Sequence, residues 1–331
     1  MLRVCWQGHA EVPGEQCHGR EPGEGKQTAM TFVFVAVGIA LIAITVFDIF
    51  LTLLHPEDQG TITSWISWFV WHAFKALPLS LLTYTGPVAY LAVLLTWALV
   101  FVLGGAFIYM PFLPDAFVFD PGLGDEHREG FIAAFYLSLV TAATLGYGDI
   151  SPTTGWLRLM GPAQAMIGLL LLTAAITWIM AIYQDIEARR SLAHETTLLQ
   201  QALEEHRIEL IDLRPESAEQ LVSQVTTRLV TITGSLNQFP ITYYFRISDD
   251  RQSLAVMALF LLELSDELDH EDVSKEVRLQ ATMLSLALDH FAEALQARFI
   301  DAGQNASTRD VLETYARDHR RDIPQQRHAR S

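Results

Sequence analysis

Cysteine, charge and glycine-rich loops are all scarce in this 331-residue sequence, and each scarcity excludes something. Both cysteines, Cys5 and Cys17, lie near the N-terminus, so everything after them folds without a disulfide framework. With His9 and His18 they could be drawn as a metal site, but the spacing follows no zinc pattern and the flanks are loop-like. Beyond residue 188 the only glycines are Gly234 and Gly303, so a G-x-G-x-x-G dinucleotide loop cannot exist there. No apolar stretch carries arginine at every third position, which excludes a voltage-sensing helix. EF-hand loops and cyclic-nucleotide signatures are missing as well. Charged residues make up only 18% while half of the chain is hydrophobic, with a mean hydropathy of +0.24, which points to a membrane class.

What is present is a set of long apolar runs. Residues 31–54 form the first; its only charge, Asp48, lies six residues from its end and is expected to reach the membrane interface. Residues 86–110 and 162–183 are both uncharged, and the 22 residues of the latter suffice to cross a hydrocarbon core of roughly 30 Å. Between them, Phe131–Ala143 reads as a short apolar helix. In residues 61–84, Ile62, Trp65, Ile66, Phe69, Val70, Ala73 and Leu77 follow helical spacing opposite Ser64, Ser67, Trp71, His72 and Lys75. That pattern predicts one amphipathic helix lying in the membrane surface, hence three spans with residues 1–30 on the side opposite the C-terminal region. The leader, residues 1–30, lacks the basic start and apolar centre of a signal peptide and is expected to be disordered, and Met30, directly before the first run, is a candidate start.

The short helix leads into Thr144-Leu145-Gly146-Tyr147-Gly148-Asp149. Successive backbone carbonyls can replace the water around an ion when all of them point to one axis. Gly146 and Gly148 permit this because glycine takes positive φ freely. Thr144 adds a hydroxyl at the inner end, Tyr147 can brace the loop outward, and the helix before it aims the negative end of its dipole at the path. The run resembles the T-x-G-Y-G-D selectivity filter of tetrameric potassium channels of the bacterial type with a two-helix pore, with Leu145 where valine or isoleucine is commoner.

The resemblance implies an all-α membrane protein: outer helix 86–110, acidic turret 111–130, pore helix and filter 131–149, inner helix 162–188, with an added N-terminal span at 31–54. One chain carries one such unit, so the resemblance implies a homotetramer in the lipid bilayer of the cell (inner) membrane. Potassium, the transported ion, would be held by Thr144, Leu145, Gly146, Tyr147 and Gly148, with no cofactor and no catalysis. Asp149 would be supported by Tyr136 of the same chain, since Val140 stands where the family often has a pairing glutamate. Thr141 and Ser138 are read as back-bonding structural residues of the pore helix. Gly168, 22 residues beyond Gly146, falls near the family's hinge, although tight packing explains a glycine equally well. Thr173 and Thr177 either line the cavity or bond to their own helix, and Ile179, Ile182 and Tyr183 are candidates for a gate that excludes water. Asp115, Asp120, Asp125, Glu126 and Glu129 would make the outer mouth acidic and gather cations there, and Pro111, Pro114, Pro121 and Gly122 predict an irregular turret. The alternative is a membrane sensor or transporter subunit whose pore-like loop does not conduct, although the four repeats of a potassium-uptake transporter are missing.

From Ser191 onward the chain turns acidic, with 14 Lys and Arg against 23 Asp and Glu, a net of −9, which argues against nucleic acid as a partner. This region is expected to be cytoplasmic and helical and to leave room for an unknown regulator. Leu192, Leu199, His206 and Leu213, interleaved with Thr196, Leu203 and Leu210, suggest a helical extension over 189–214, either a coiled coil with His206 at a core position or a single amphipathic helix packed on the rest of the C-terminal region with His206 exposed. Within 215–331, amphipathic stretches run over 216–236, 253–268, 274–298 and 308–320. The aromatic connection 239–250, with Tyr243, Tyr244 and Phe245, is expected to pack in the core.

Overall fold

The computed structural model describes residues 24–55, 59–270, 273–303 and 305–321; the cysteines, His9 and His18 and the rest of the leader to residue 23 lie outside them. Helix α1 (Glu24–Leu54) is followed by α2 (Thr61–Lys75), a single turn α3 (Leu79–Leu82) and α4 (Thr85–Tyr109). Strand β1 (Phe117–Phe119), helix α5 (Gly130–Ala142), strand β2 (Ile150–Pro152) and helix α6 (Gly155–His206) complete the apolar half. Helices α7 (Pro215–Gln238), α8 (Leu254–Leu268), α9 (Lys275–Arg298) and α10 (Thr308–Asp318) form the C-terminal half. Among the described residues three helices are long and apolar enough to cross a membrane, over Thr28–Leu53, Thr85–Phe112 and Gly155–His206, and the fold is that of an all-α membrane protein apart from one two-stranded ribbon.

Helices α1 and α4 run antiparallel and approach backbone to backbone. A Cβ on Gly38 would lie 2.5 Å from the Gly104 carbonyl, and one on Gly104 would lie 2.7 Å from Ile42. Lipid offers no hydrophobic drive between helices, so this close small-residue contact supplies the dispersion that holds the pair. Farther along, Asp48, six residues from the end of α1, is 4% exposed and held inside the protein. Its carboxylate accepts from Trp97 Nε1 and the Thr63 hydroxyl, both at 2.9 Å, and from the Ile62 amide at 2.9 Å. The first turn of α2 thus offers its orphan donors to a buried carboxylate. A side chain at Gly60 would strike that carboxylate, since a Cβ there would come within 2.3 Å of it.

The expected helix over 61–84 is two pieces. Helix α2 ends at Lys75 and Pro78 opens α3, because proline lacks the amide a continuous helix requires. At 15 residues α2 is roughly 22 Å long by 1.5 Å per residue, too short to span. Its orientation also differs from the periodicity reading: Ser67 and Trp71 are buried, whereas Trp65, Trp68 and Phe69 face outward. The protein, not the bilayer, claims Trp71. The inner helix is likewise longer than expected, beginning at Gly155 with Pro162 inside it and running for 52 residues.

Of the two readings of 189–214, the structure has the helical extension packed on the chain's own C-terminal half rather than the coiled coil. Helix α6 stops at His206, where Arg207 takes φ +56, so Leu210 and Leu213 belong to a separate turn and His206 is exposed rather than at a core position. Leu192 and Thr196 are buried against the chain's own C-terminal half, and Leu199 and Leu203 pack on the same core. The four amphipathic stretches become α7 to α10. Ser274 caps α9, and Ser307 with Asp310 forms a capping box on α10. The aromatic connection is a short helical turn, Pro240–Tyr244, at the centre of this half, with Tyr243 stacked on Phe299 at a ring separation of 4.1 Å.

One carboxylate fastens the two halves. Asp318, at the end of α10, accepts from Trp71 Nε1 at 3.1 Å and the Tyr243 hydroxyl at 2.6 Å and is ion-paired with Lys75. Next to it His319 is buried among Trp71, Tyr243 and Tyr315. Burial pushes its imidazole down from the ordinary 6.5 to about 3. The neutral ring therefore contributes full stability above pH 6.5, and that contribution declines as the pH falls toward 3. The slope is roughly 1.4 kcal/mol per pH unit while only the unfolded chain binds the proton. In detergent, the melting temperature should fall more steeply between pH 6.5 and 4.5 for the native chain than for His319→Phe; parallel curves would contradict this. Asp48→Leu, which orphans three donors, should destabilise the apolar half by about 3 kcal/mol in denaturant titration, and Asp48→Asn by less.

Candidate filter and its supports

The site is built outward from the end of α5. The Thr144 amide donates to the Thr141 carbonyl and the Leu145 amide to the Val140 carbonyl, each at 3.0 Å, while Thr144 takes φ +58. Those two bonds and a left-handed residue make a Schellman-type helix end, a position glycine usually fills. A threonine there costs about 1–2 kcal/mol. Beyond it the sign of φ alternates, with Gly146 at +54 and Gly148 at +81, and neither Leu145 nor Tyr147 is positive. A uniformly extended strand turns successive carbonyls to opposite sides, and alternation of sign brings them toward one. Among the described residues no donor is bonded to the carbonyls of Thr144, Leu145, Gly146 or Tyr147, and the side chains of Leu145 and Tyr147 are exposed.

The outer end is tied down separately. The Asp149 carbonyl accepts from the Asp120 amide at 2.8 Å, and the Tyr136 hydroxyl donates to Asp149 Oδ2 at 2.7 Å. Directly after it β2 pairs antiparallel with β1, Phe117 opposite Pro152 and Phe119 opposite Ile150. The turret is thus not wholly irregular, because a strand of it holds the exit of the loop. Val140 is buried and offers no polar group to Asp149.

The other expected positions divide. A Cβ on Gly168 would lie 2.4 Å from the Ala142 carbonyl, so α6 passes tightly against the end of α5, and α6 runs unbroken through that residue. Thr173 and Thr177 donate to the carbonyls of Leu169 and Thr173 on their own helix and border an apolar gap of about 470 Å³ between α1 and α6. Ile182 is corrected as a gate residue, since it is fully buried in the protomer's own core and cannot face a central path. Ile179 is half-buried on that core, and Tyr183 is exposed, with its ring at 6.5 Å from Phe245. The exposed stripe on α6 is Leu172, Ile176, Met180 and Tyr183. Sequence periodicity missed it because every face of that helix is apolar there. Ser138 also departs from the back-bonding reading, since its hydroxyl crosses to the Val102 carbonyl of α4 at 2.6 Å.

Residues 95–185 match the ion-channel family model. The matched segment covers most of α4, the turret, α5, the loop and the first part of α6, which are the elements described above. An uncharacterized membrane protein of Bacillus subtilis (strain 168), YdjJ, is 23% identical over 246 residues, covering 70% of this chain and 67% of that one. No solved structure matches. Within the matched segment the Tyr136 hydroxyl is the side-chain donor to Asp149, and Tyr136→Phe removes it. That variant should retain its fold but lose sustained ion flux several-fold faster than the native chain in electrical recordings, and an identical time course would count against a supporting role for Tyr136.

Proposed function

We propose that four copies of this chain close a potassium-selective pore in the cell (inner) membrane, with Thr144, Leu145, Gly146, Tyr147 and Gly148 as its filter. The observation that carries this reading is the alternation of backbone sign at Thr144, Gly146 and Gly148, where consecutive carbonyls have no partner among the described residues, between two helices long and apolar enough to cross a membrane. One such loop encloses nothing. Four around an axis supply rings of oxygens at the spacing of successive residues, and a hydrated potassium ion exchanges its water for them. Fourfold closure is the symmetric way to complete that ring from one chain.

Sidedness follows from the same reading. The filter lies at the end of the pore away from α2 and α7 to α10, and a filter that faces outward puts those helices in the cytoplasm. Trp65, Trp68 and Phe69, exposed on α2, then lie at the inner membrane interface, where amphipathic aromatic rings are favoured. The acidic helical half is the part exposed to a cytoplasmic regulator. The decisive test is ion flux from liposomes holding the full-length chain. Potassium flux at least tenfold above sodium flux is expected, as is its loss in Gly146→Ala, whose side chain resists φ +54 at a cost of about 1 kcal/mol per loop. Equal flux of both ions would refute potassium selectivity, and no flux of either would favour a sensor or transporter subunit.

A further inference from the structure

We infer that Gln164 is a positioning residue for the filter, acting through the pore helix and never touching the ion; the inference rests on the channel reading above. Gln164 lies on α6, a helix long and apolar enough to cross a membrane, and is 1% exposed. An amide buried there must find every partner within the protein, because lipid supplies none. It does so. Nε2 donates to Ser138 Oγ at 2.8 Å and to the Ser138 carbonyl at 3.3 Å, and Oε1 accepts from the Tyr109 hydroxyl at 2.8 Å. Ser138 Oγ in turn donates to the Val102 carbonyl at 2.6 Å. A single side chain of α6 therefore ties α5 to α4 both directly, through Tyr109, and through Ser138.

Glycine makes room for the arrangement. A Cβ on Gly105 would lie 2.4 Å from both Gln164 Nε2 and Ser138 Oγ, so any larger residue there would break the junction. Apart from Tyr136, which bonds to the loop at Asp149, the rest of the α5 contact is apolar: Ala133, Ala134, Leu137 and Val140 are its other buried side chains. Apolar packing against apolar neighbours resists rotation or sliding weakly, because each dispersion contact is small and non-directional. Hydrogen bonds in a dry setting are directional, and displacement of α5 would leave several groups unpaired at once. Ser138 precedes Thr144 by less than two helical turns, and α5 is continuous to Ala142, itself in contact with Gly168. A displacement of α5 is therefore transmitted to the first carbonyl of the filter. The polar cluster fixes the height and rotation of the helix on which the carbonyl ring depends.

The test uses the full-length chain in liposomes, with potassium and sodium flux measured for the native protein, Gln164→Met and Tyr109→Phe. Methionine keeps the length and removes every hydrogen bond, and phenylalanine removes one hydroxyl. The potassium-to-sodium flux ratio should fall about tenfold in Gln164→Met, the scale set by one buried hydrogen-bonding group left unpaired. Tyr109→Phe should lower it by a smaller factor, with the assembly unchanged on size-exclusion chromatography. A selective native protein whose two variants keep the native ratio overturns the positioning role alone. A native protein without potassium preference overturns the channel reading and this inference with it. Should Gln164→Met fail to assemble, the ratio in Tyr109→Phe decides, lowered in support and unchanged in contradiction.

Discussion

The carbonyls of Thr144, Leu145, Gly146 and Tyr147 accept no hydrogen bond within the described residues, and in a membrane setting that state requires a polar partner from elsewhere. The surrounding elements follow from holding such a segment open. Left to itself, a strand of unpaired carbonyls would collapse onto the nearest amides or be withdrawn into water. Here its inner end is fixed by a helix terminus with a strained threonine, and its outer end by Tyr136, the Asp120 amide and a two-stranded ribbon. Strain of a kcal/mol or two at Thr144 persists because both ends over-determine the path. On the proposed reading, ions supply the missing partner.

Around this segment the chain uses two different means of cohesion. Apolar helices in lipid meet through small residues, as Gly38 does with Gly104 and Gly168 with Ala142, and buried polar groups stitch them at chosen points, as Asp48 and Gln164 do. Below the spans, ordinary hydrophobic burial takes over, and the two regimes share one continuous core in which Trp71, Trp97 and Trp178 lie with Leu229, Leu288 and Tyr315. Asp318 closes that junction by joining α10 to α2 and to the aromatic turn. Because α6 runs from beside the Thr144 to Gly148 loop into this half without a break, its displacement and that of the C-terminal helices are mechanically joined.

Much of this was legible in the sequence, and the failures have physical causes. The apolar runs, the positive φ at Gly146 and Gly148 and the boundaries of α7 to α10 were readable because hydrophobic periodicity and glycine placement report local structure directly. Trp71 and Ile182 were misassigned because α2 and the relevant part of α6 are apolar on more than one side, so their spacing does not say which face meets protein. The heptad over 192–213 was real as a pattern, but the partner of Leu192 is its own chain and the helix ends at His206. Asp48, Gln164 and Asp318 each act through groups far away in sequence, such as Trp97, Tyr109 and Trp71, which no local pattern discloses. Gln164 did leave one trace, as a long polar side chain early in an otherwise apolar run.

The central claim concerns what completes the unpaired carbonyls, and an electron cryo-microscopy map of the full-length chain in lipid nanodiscs with potassium addresses it most directly. The account predicts four chains about one axis, with the Thr144 to Gly148 loops converging on it and a column of ion density between their carbonyls. Loops that face lipid or the protomer's own helices, with no density on any shared axis, would contradict it.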